Sequence, residues 1–267
     1  MEYKTKNGQK YPAKTRHIDK QAFEASPETT IYWLGNAGAM INCRGTVLMI
    51  DPLLEGFDMS LLIDMPISAK EVPHMDAVLI THCDNDHFSK DTCHAMSNVC
   101  DAFYTTKYVA ELFDAIGIKA QGCDIHESFQ VGNVKATLTP ADHAWQNESP
   151  SHKTRDFKME DYCGFWMDTP DGSIWAVGDS RLLEEQLHMP HPKVMLFDFS
   201  DSVWHIGLKG AVELANAHPD AILIPWHWGS VEAPDMKEFN GDPEQLKRLI
   251  VNPDRVQVLA PGEAFTL

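Results

Sequence analysis

The sequence predicts an α/β protein in which two mixed β-sheets face each other with helices outside. Three observations carry this. Gly-punctuated β-meanders occur twice along the 267 residues, each followed by helix–strand units. The strand candidates are short, apolar and rich in Val, Ile and Leu, as strands covered on both faces are. Several of these runs end abruptly in His or Asp, where a sheet-based site collects its side chains.

Taken in order, residues 1–27 are polar and mixed in charge. The stretch 17–25 reads as a short amphipathic helix, so 1–27 is expected to be an arm packing on the body or on another subunit of a homo-oligomer. A frayed terminus is the alternative. Residues 28–267 are expected to form one domain. Strands at 31–34, 39–43 and 47–50 are separated by glycine-containing turns and end in Asp51. Residues 52–76 are irregular but hold Met59, Leu61, Leu62, Ile63 and Met65, which fits either a substrate wall or core packing.

A buried strand at 77–80 follows. Ser89 opens a helix, 101–105 is a strand candidate, and the helix 107–116 is closed by Gly117. Residues 131–139 are β around Gly132-Asn133. The polar segment 145–162 is long for a compact domain and is read as a cover over the site. His152 within it is read as a surface histidine. The runs 163–168 and 173–177 flank Thr169-Pro170-Asp171-Gly172, a hairpin. A strand at 193–197, a helix at 210–218 and a strand at 221–224 come next. Asp242-Pro243 then supplies a cap and a first-turn proline for a further helix. A strand at 256–259 is expected to end the chain.

Composition narrows the function. A hydrophobic content of 43% allows an ample core, and the net charge of −17 argues against nucleic acid as a partner. No apolar run approaches the roughly 20 residues needed to span a bilayer. The charged start, Met1-Glu2-Tyr3-Lys4, precedes no apolar stretch. The six cysteines form no C-x-x-C pair, so reduced thiols in the cytoplasm are expected. A small molecule is the expected substrate.

The chemistry is concentrated at 80–88, where His82, Asp84, Asp86 and His87 fall within six positions directly after an apolar strand. Carboxylates and imidazoles this dense are costly to leave unpaired, and a divalent cation resolves the conflict. A solvated acidic loop is the bland alternative. His143, Asp179 and His227 weigh against it, because each also follows an apolar run.

The order His-x-acid-x-Asp-His, then His, then Gly-Asp, then His resembles the metallo-β-lactamase-fold hydrolases, and Asp51 matches their upstream Asp. Within that family, the Trp-Leu-Gly-Asn-Ala-Gly and Pro-Trp-His-Trp-Gly contexts look most like the L-ascorbate-6-phosphate lactonase-like branch. Asp84 departs from the pattern, which usually has His there. The resemblance implies a four-layer αββα sandwich and two divalent metal ions, Zn, Mn or Fe. One ion takes His82, Asp84 and His143. The other takes Asp86, His87 and His227, with Asp179 bridging. It makes Asp51 a support for the metal loop, whereas local sequence alone reads Asp51 as a turn cap.

The implied reaction is opening of a small ester, most plausibly a sugar lactone, by a metal-bridging hydroxide, with Asp86 accepting the released proton. A phosphodiesterase and a di-iron redox protein are the alternatives. His205 is the second candidate catalytic residue, orienting a ligand carboxylate or binding substrate, with plain packing equally open. Trp145, Trp204 and Arg181 are candidate substrate contacts; core packing for the tryptophans and a surface position for the arginine are the alternatives. Trp226 and Trp228 flank His227 and are not both expected to face the pocket, core packing being the alternative for each.

Overall fold

The computed structural model describes residues 1–143, 145–149 and 155–267. An N-terminal hairpin, β1 (Tyr3–Lys6) and β2 (Gln9–Pro12), precedes two larger sheets. The first half of the chain contributes β3 (Thr29–Gly35), β4 (Gly38–Cys43), β5 (Thr46–Ile50), β6 (Ala77–Leu79), α1 (Lys90–Met96), β7 (Phe103–Thr106), α2 (Lys107–Ala115) and β8 (Gln121–Cys123). The second half contributes β9 (Ser128–Val131), β10 (Val134–Pro140), α3 (Trp145–Glu148), β11 (Cys163–Thr169), β12 (Gly172–Ala176), α4 (Glu184–Leu187), β13 (Val194–Phe197), α5 (Gly207–Ala217), β14 (Ile222–Pro225), α6 (Pro243–Leu249) and β15 (Ala264–Thr266). A seven-stranded sheet has the order β15-β3-β4-β5-β6-β7-β8, and a six-stranded sheet the order β14-β13-β12-β11-β10-β9.

The side-chain alternation of the strands explains the layering. In β3, Ile31 and Trp33 enter the core between the sheets, while Leu34 joins a second cluster on the outer face. In β5 the same split separates Leu48 and Ile50 from Val47 and Met49. Cys93 and Met96 of α1 and Val109 and Phe113 of α2 cover that outer face. From the six-stranded sheet, Leu138, Phe165 and Ile174 meet the inter-sheet core, while on the opposite face Trp175 meets His218 and α5 packs through Ala211 and Leu214. Period-two strands apolar on both faces therefore produce the four-layer αββα arrangement that the resemblance implied.

The two ends of the sandwich differ. Strands β3, β5, β6, β10, β12, β13 and β14 all point their C-terminal ends to one edge. At the other edge, hydrogen bonds join the sheets. Asp171, in the β11–β12 turn, accepts from Thr29 N (2.9 Å), Thr29 Oγ1 (2.8 Å) and the Arg44 guanidinium. Thr46 Oγ1 accepts from Asn133 N at 3.0 Å. Gly132 is required beside that contact: its φ is +50°, and a Cβ there would lie 2.2 Å from Thr46 Oγ1.

Two expectations need correction. Residues 17–25 form only a 3-10 turn at Lys20–Phe23, and the N-terminal segment is dominated by the β1–β2 hairpin. Its signal was Asn7-Gly8, both with positive φ, the preferred pair for a two-residue hairpin turn. The segment packs on the body: Gln9 Nε2 donates to Val231 O, Gln9 Oε1 accepts from Ala233 N, and Lys10 pairs with Asp242 at 2.6 Å. The expected last strand, 256–259, makes a single bridge, Val256 to Leu223. The chain then crosses to the other sheet, turning at Gly262, whose backbone N donates to Trp33 O, and ends as β15 beside β3.

Candidate metal centre

Every ligand candidate sits at the C-terminal edge of the strands. His82, Asp84, Asp86 and His87 follow β6, His143 follows β10, Asp179 follows β12 and His227 follows β14. His82, His87, His143, Asp179 and His227 are buried, as is Asp86 apart from one edge; Asp84 is partly exposed. The structure gathers them into His82–Asp84–His143 and Asp86–His87–His227, with the potential ligand atoms of each group within 4.8 Å of one another. Asp179 joins His82 and His87 on one side and His143 and His205 on the other.

The outer contacts fix the tautomers. Thr81 Oγ1 donates to Asp51 Oδ2 (2.6 Å) and so accepts from His82 Nδ1 (2.9 Å). His87 Nδ1 donates to the same Asp51 oxygen at 2.8 Å, while Asp51 Oδ1 accepts from Thr81 N. His227 Nδ1 donates to Glu238 O at 3.0 Å, and His205 Nδ1 to Asp198 Oδ2 at 2.6 Å. With Nδ1 engaged in all four, these rings turn Nε2 inward, an atom that accepts or ligates when the ring is neutral.

Those inward atoms test whether a cation fits. His87 Nε2 and His227 Nε2 are 3.3 Å apart. Asp179 Oδ2 lies 3.1 Å from the first and 3.3 Å from the second, and also 3.3 Å from His205 Nε2. Asp86 Oδ2 is 3.3–3.4 Å from the same pair. Lone pairs converge with nothing of opposite sign between them. His82 Nε2, His143 Nδ1 and Asp179 Oδ1 are buried without a hydrogen-bond partner among the described residues. The donor set, imidazole nitrogen with carboxylate oxygen, suits Zn²⁺, Mn²⁺ or Fe²⁺.

The buried carboxylates and imidazoles of the cluster shift one another strongly. Burial opposes charge on His227, but Asp179 and Asp86 raise its pKa to about 10. His87 is driven well above its ordinary value against the same burial cost, by Asp179, Asp86 and Asp51. His205 is raised despite its burial, by Asp179 and Asp198. Burial pushes Asp86 and Asp179 up, yet the neighbouring imidazoles more than reverse this and hold both low. Burial lowers His143, with His82 and His205 adding to it. The buried carboxylates thus favour positive charge at this point of the fold, which is the charge a divalent ion supplies.

Three residues here have backbones in the left-handed region that non-glycine residues seldom adopt: Asn36 (φ 46°), Asp51 (41°) and His227 (58°). Asn36 Nδ2 donates to Asp86 Oδ2 (3.1 Å) and Asp86 O (3.2 Å), and Asn36 O accepts from His227 N at 2.8 Å. Such conformations persist where surrounding bonds over-determine them.

The remaining candidates divide. Trp145 lines the cavity over the centre and meets Trp204 edge-to-face at 5.5 Å. Arg181 departs from expectation: its guanidinium is forked onto Asp142 (2.8 and 3.0 Å) and Glu148 (2.9 Å) and does not line the cavity. Trp226 and Trp228 are both buried, the latter stacked on Trp33 at 5.9 Å, so neither faces the pocket. His152 lies outside the described residues, as does part of the segment 145–162. Sequence reasoning missed Asn36, Thr81, Gln146 and Asp198. Gln146 donates to Asp84 Oδ1. Asp198 follows β13 and satisfies the same strand-end rule that singled out Asp179.

A family described as the beta-lactamase superfamily domain matches residues 46–228. The chain belongs to that superfamily. This superfamily member is 29% identical over 257 residues to a UPF0173 metal-dependent hydrolase of Herpetosiphon aurantiacus, spanning 89% of this chain and 98% of the relative. Its fold is similar to Igni18, a metallo hydrolase from Ignicoccus hospitalis (TM-score 0.69, 18% identity, 90% and 98% of the two chains). It is likewise similar to CmlA, a diiron beta-hydroxylase from Streptomyces venezuelae (TM-score 0.69, 13% identity, 91% and 55%). These likenesses establish the metallo-β-lactamase fold.

Proposed function

We propose that this superfamily member is a metal-dependent hydrolase that opens a small ester or lactone. The observation that carries the reading is the convergence of fixed, bare Nε2 atoms and carboxylate oxygens at the floor of an open cavity. The metal-dependent hydrolase from Herpetosiphon, similar along nearly its whole length, supports it. His82, Asp84 and His143 would hold one divalent ion and Asp86, His87 and His227 a second, with Asp179 between them. When bound, such ions supply Lewis acidity and an activated water.

The protein's own contribution is orientation. Asp51 and Thr81 lock the rings of His82 and His87, and Asn36 holds the Asp86 carboxylate. Asp198, fixed by the backbone N of Phe199 and Ser200, aims His205 at the centre. In this reading Asp86 receives a proton, and His205, whose Nε2 lies 3.3 Å from Asp179 Oδ2, supports the groups beside it. A second reading rests on Asp84: an added carboxylate suits an oxygen-handling di-iron site, for which ferrous-loaded protein would consume O₂ with a reductant.

The test is metal analysis of protein purified without chelator, followed by lactones, alkyl esters, phosphodiesters and β-lactams. Metal-loaded protein should hydrolyse an ester or lactone. His87→Ala and Asp179→Ala should each lose metal and lower turnover by about 10²-fold or more. Fully loaded protein inert towards every carbonyl ester ends the reading.

A further inference from the structure

The cavity over the metal centre has a volume of about 470 Å³ and is walled by apolar side chains. We infer that the substrate carries an apolar arm, an alkyl or acyl chain or an aromatic ring, on its ester or lactone group. This rests on the hydrolytic reading above and names the substrate class for it.

The walls are built, not incidental. On one side Phe239 packs with Val231 and Ala233, and Phe57, Met59 and Met236 lie against that cluster. The Phe239 ring stacks on His227 at 5.3 Å and 12°, so this wall begins at a ligand ring itself. On the other side Phe157 packs with Ala141 and Tyr162, and Tyr108 meets Phe157 edge-to-face at 5.7 Å. Leu112, one turn further along α2, extends that wall.

Phe57, Met59, Tyr108, Leu112, Trp145 and Met236 are only half-buried, and all face this one cavity. Apolar surface left open around a concave site is covered when a matching ligand enters, and that burial supplies the affinity.

Three polar side chains of the lining are already engaged, although Gln146 Oε1 has no hydrogen-bond partner among the described residues. Asn85 donates to Asp58 (3.0 Å), Gln146 donates to Asp84, and Glu238 accepts from Ser202 Oγ (2.5 Å). Lys90 is the sole lysine or arginine among the described lining residues, and it is exposed at the first position of α1. Arg181, the expected partner for an anionic substrate, is committed to Asp142 and Glu148. A polyhydroxylated or phosphorylated lactone would exchange water for hydrocarbon here without matching hydrogen bonds, which disfavours binding.

The experiment uses metal-loaded protein with p-nitrophenyl acetate, butyrate, hexanoate and octanoate, with gluconolactone alongside. A second readout is calorimetric binding of hexanamide, a non-reacting apolar probe. The value of kcat/KM should rise with chain length, approaching about fourfold per methylene where burial is complete. Hexanamide should bind with a negative heat-capacity change. Met236→Glu and Leu112→Glu, on opposite walls, should flatten the chain-length slope and weaken hexanamide binding while metal content is retained.

Turnover that is indifferent to chain length, or fastest on gluconolactone, overturns the inference and leaves the hydrolase standing. No turnover on any ester, with hexanamide bound and lost in both variants, removes the hydrolytic reading and keeps the apolar-arm site. Absence of both turnover and binding overturns the two together.

Discussion

At position 84 a carboxylate stands beside His82 (3.4 Å) and His143 (2.9 Å), where the superfamily pattern usually has a third imidazole. A carboxylate oxygen is harder than an imidazole nitrogen and adds a negative charge, so a ligating Asp84 should bias the centre towards Mn²⁺ or Fe²⁺. Asp84→His should shift metal selectivity towards Zn²⁺, read by competitive loading and elemental analysis. Unchanged selectivity would show that Asp84 does not ligate. Asn36 gives a second single-residue test. Asn36→Gly keeps the left-handed backbone but loses both bonds to Asp86, and should weaken metal affinity about 10-fold or more in a metal titration, with little change in thermal stability. At this scale the sequence was most legible where chemistry is local: His82 to His87 declares itself within one loop. Asn36 did not, because its partners Asp86 and His227 are remote in the chain and its turn reads as ordinary Gly-Asn.

Among the elements, the edge opposite the metal centre governs how the sheets hold together. Asp171 in the β11–β12 turn is bound by Arg44 and Thr29 from the other sheet, and these bonds hold its carboxyl well below the usual carboxylate range. A folded pKa below the unfolded value means stabilisation that is fully present above about pH 4 and fades as pH falls through the folded value. Asp171→Asn should therefore lower Tm at pH 6, and the gap to the unsubstituted protein should narrow as the pH falls from about 4 towards 2. A constant gap across that range would place the effect elsewhere. Strands and helices read from apolar runs and caps largely form where expected: Ser89 caps α1 and Asp242 caps α6. The misreadings came from competing signals. Residues 256–259 look like a strand in isolation, but β14 offers Val256 only one bridge, and β3 has an open edge that Ala264–Thr266 fills.

For the molecule as a whole, the centre unites both sheets, so cation binding is a property of the docked sandwich. Saturating divalent metal at about 100 times its Kd should add about 2.7 kcal/mol of stability, raising Tm by about 5–10 °C, and chelation should reverse the shift in a thermal melt. The overall architecture was legible because two-sided apolar strands dictate covered sheets. The apolar character of the cavity was legible only at Met59, in the stretch 52–76 for which a substrate wall was one reading, because the other walls come from residues 108–112, 157 and 236–239, separate in sequence and joined only by folding. The same scattering has a kinetic consequence. His143 and Asp84 are 59 positions apart, and His87 and His227 are 140 apart. No complete ligand group therefore exists until the two sheets have met, and the transition state for folding should lack one. Stopped-flow refolding should proceed at the same rate with or without divalent metal, whereas unfolding should slow in proportion to the added stability. On that prediction, the choice of ion would fall to a finished cavity, sampling whatever cations surround the folded protein.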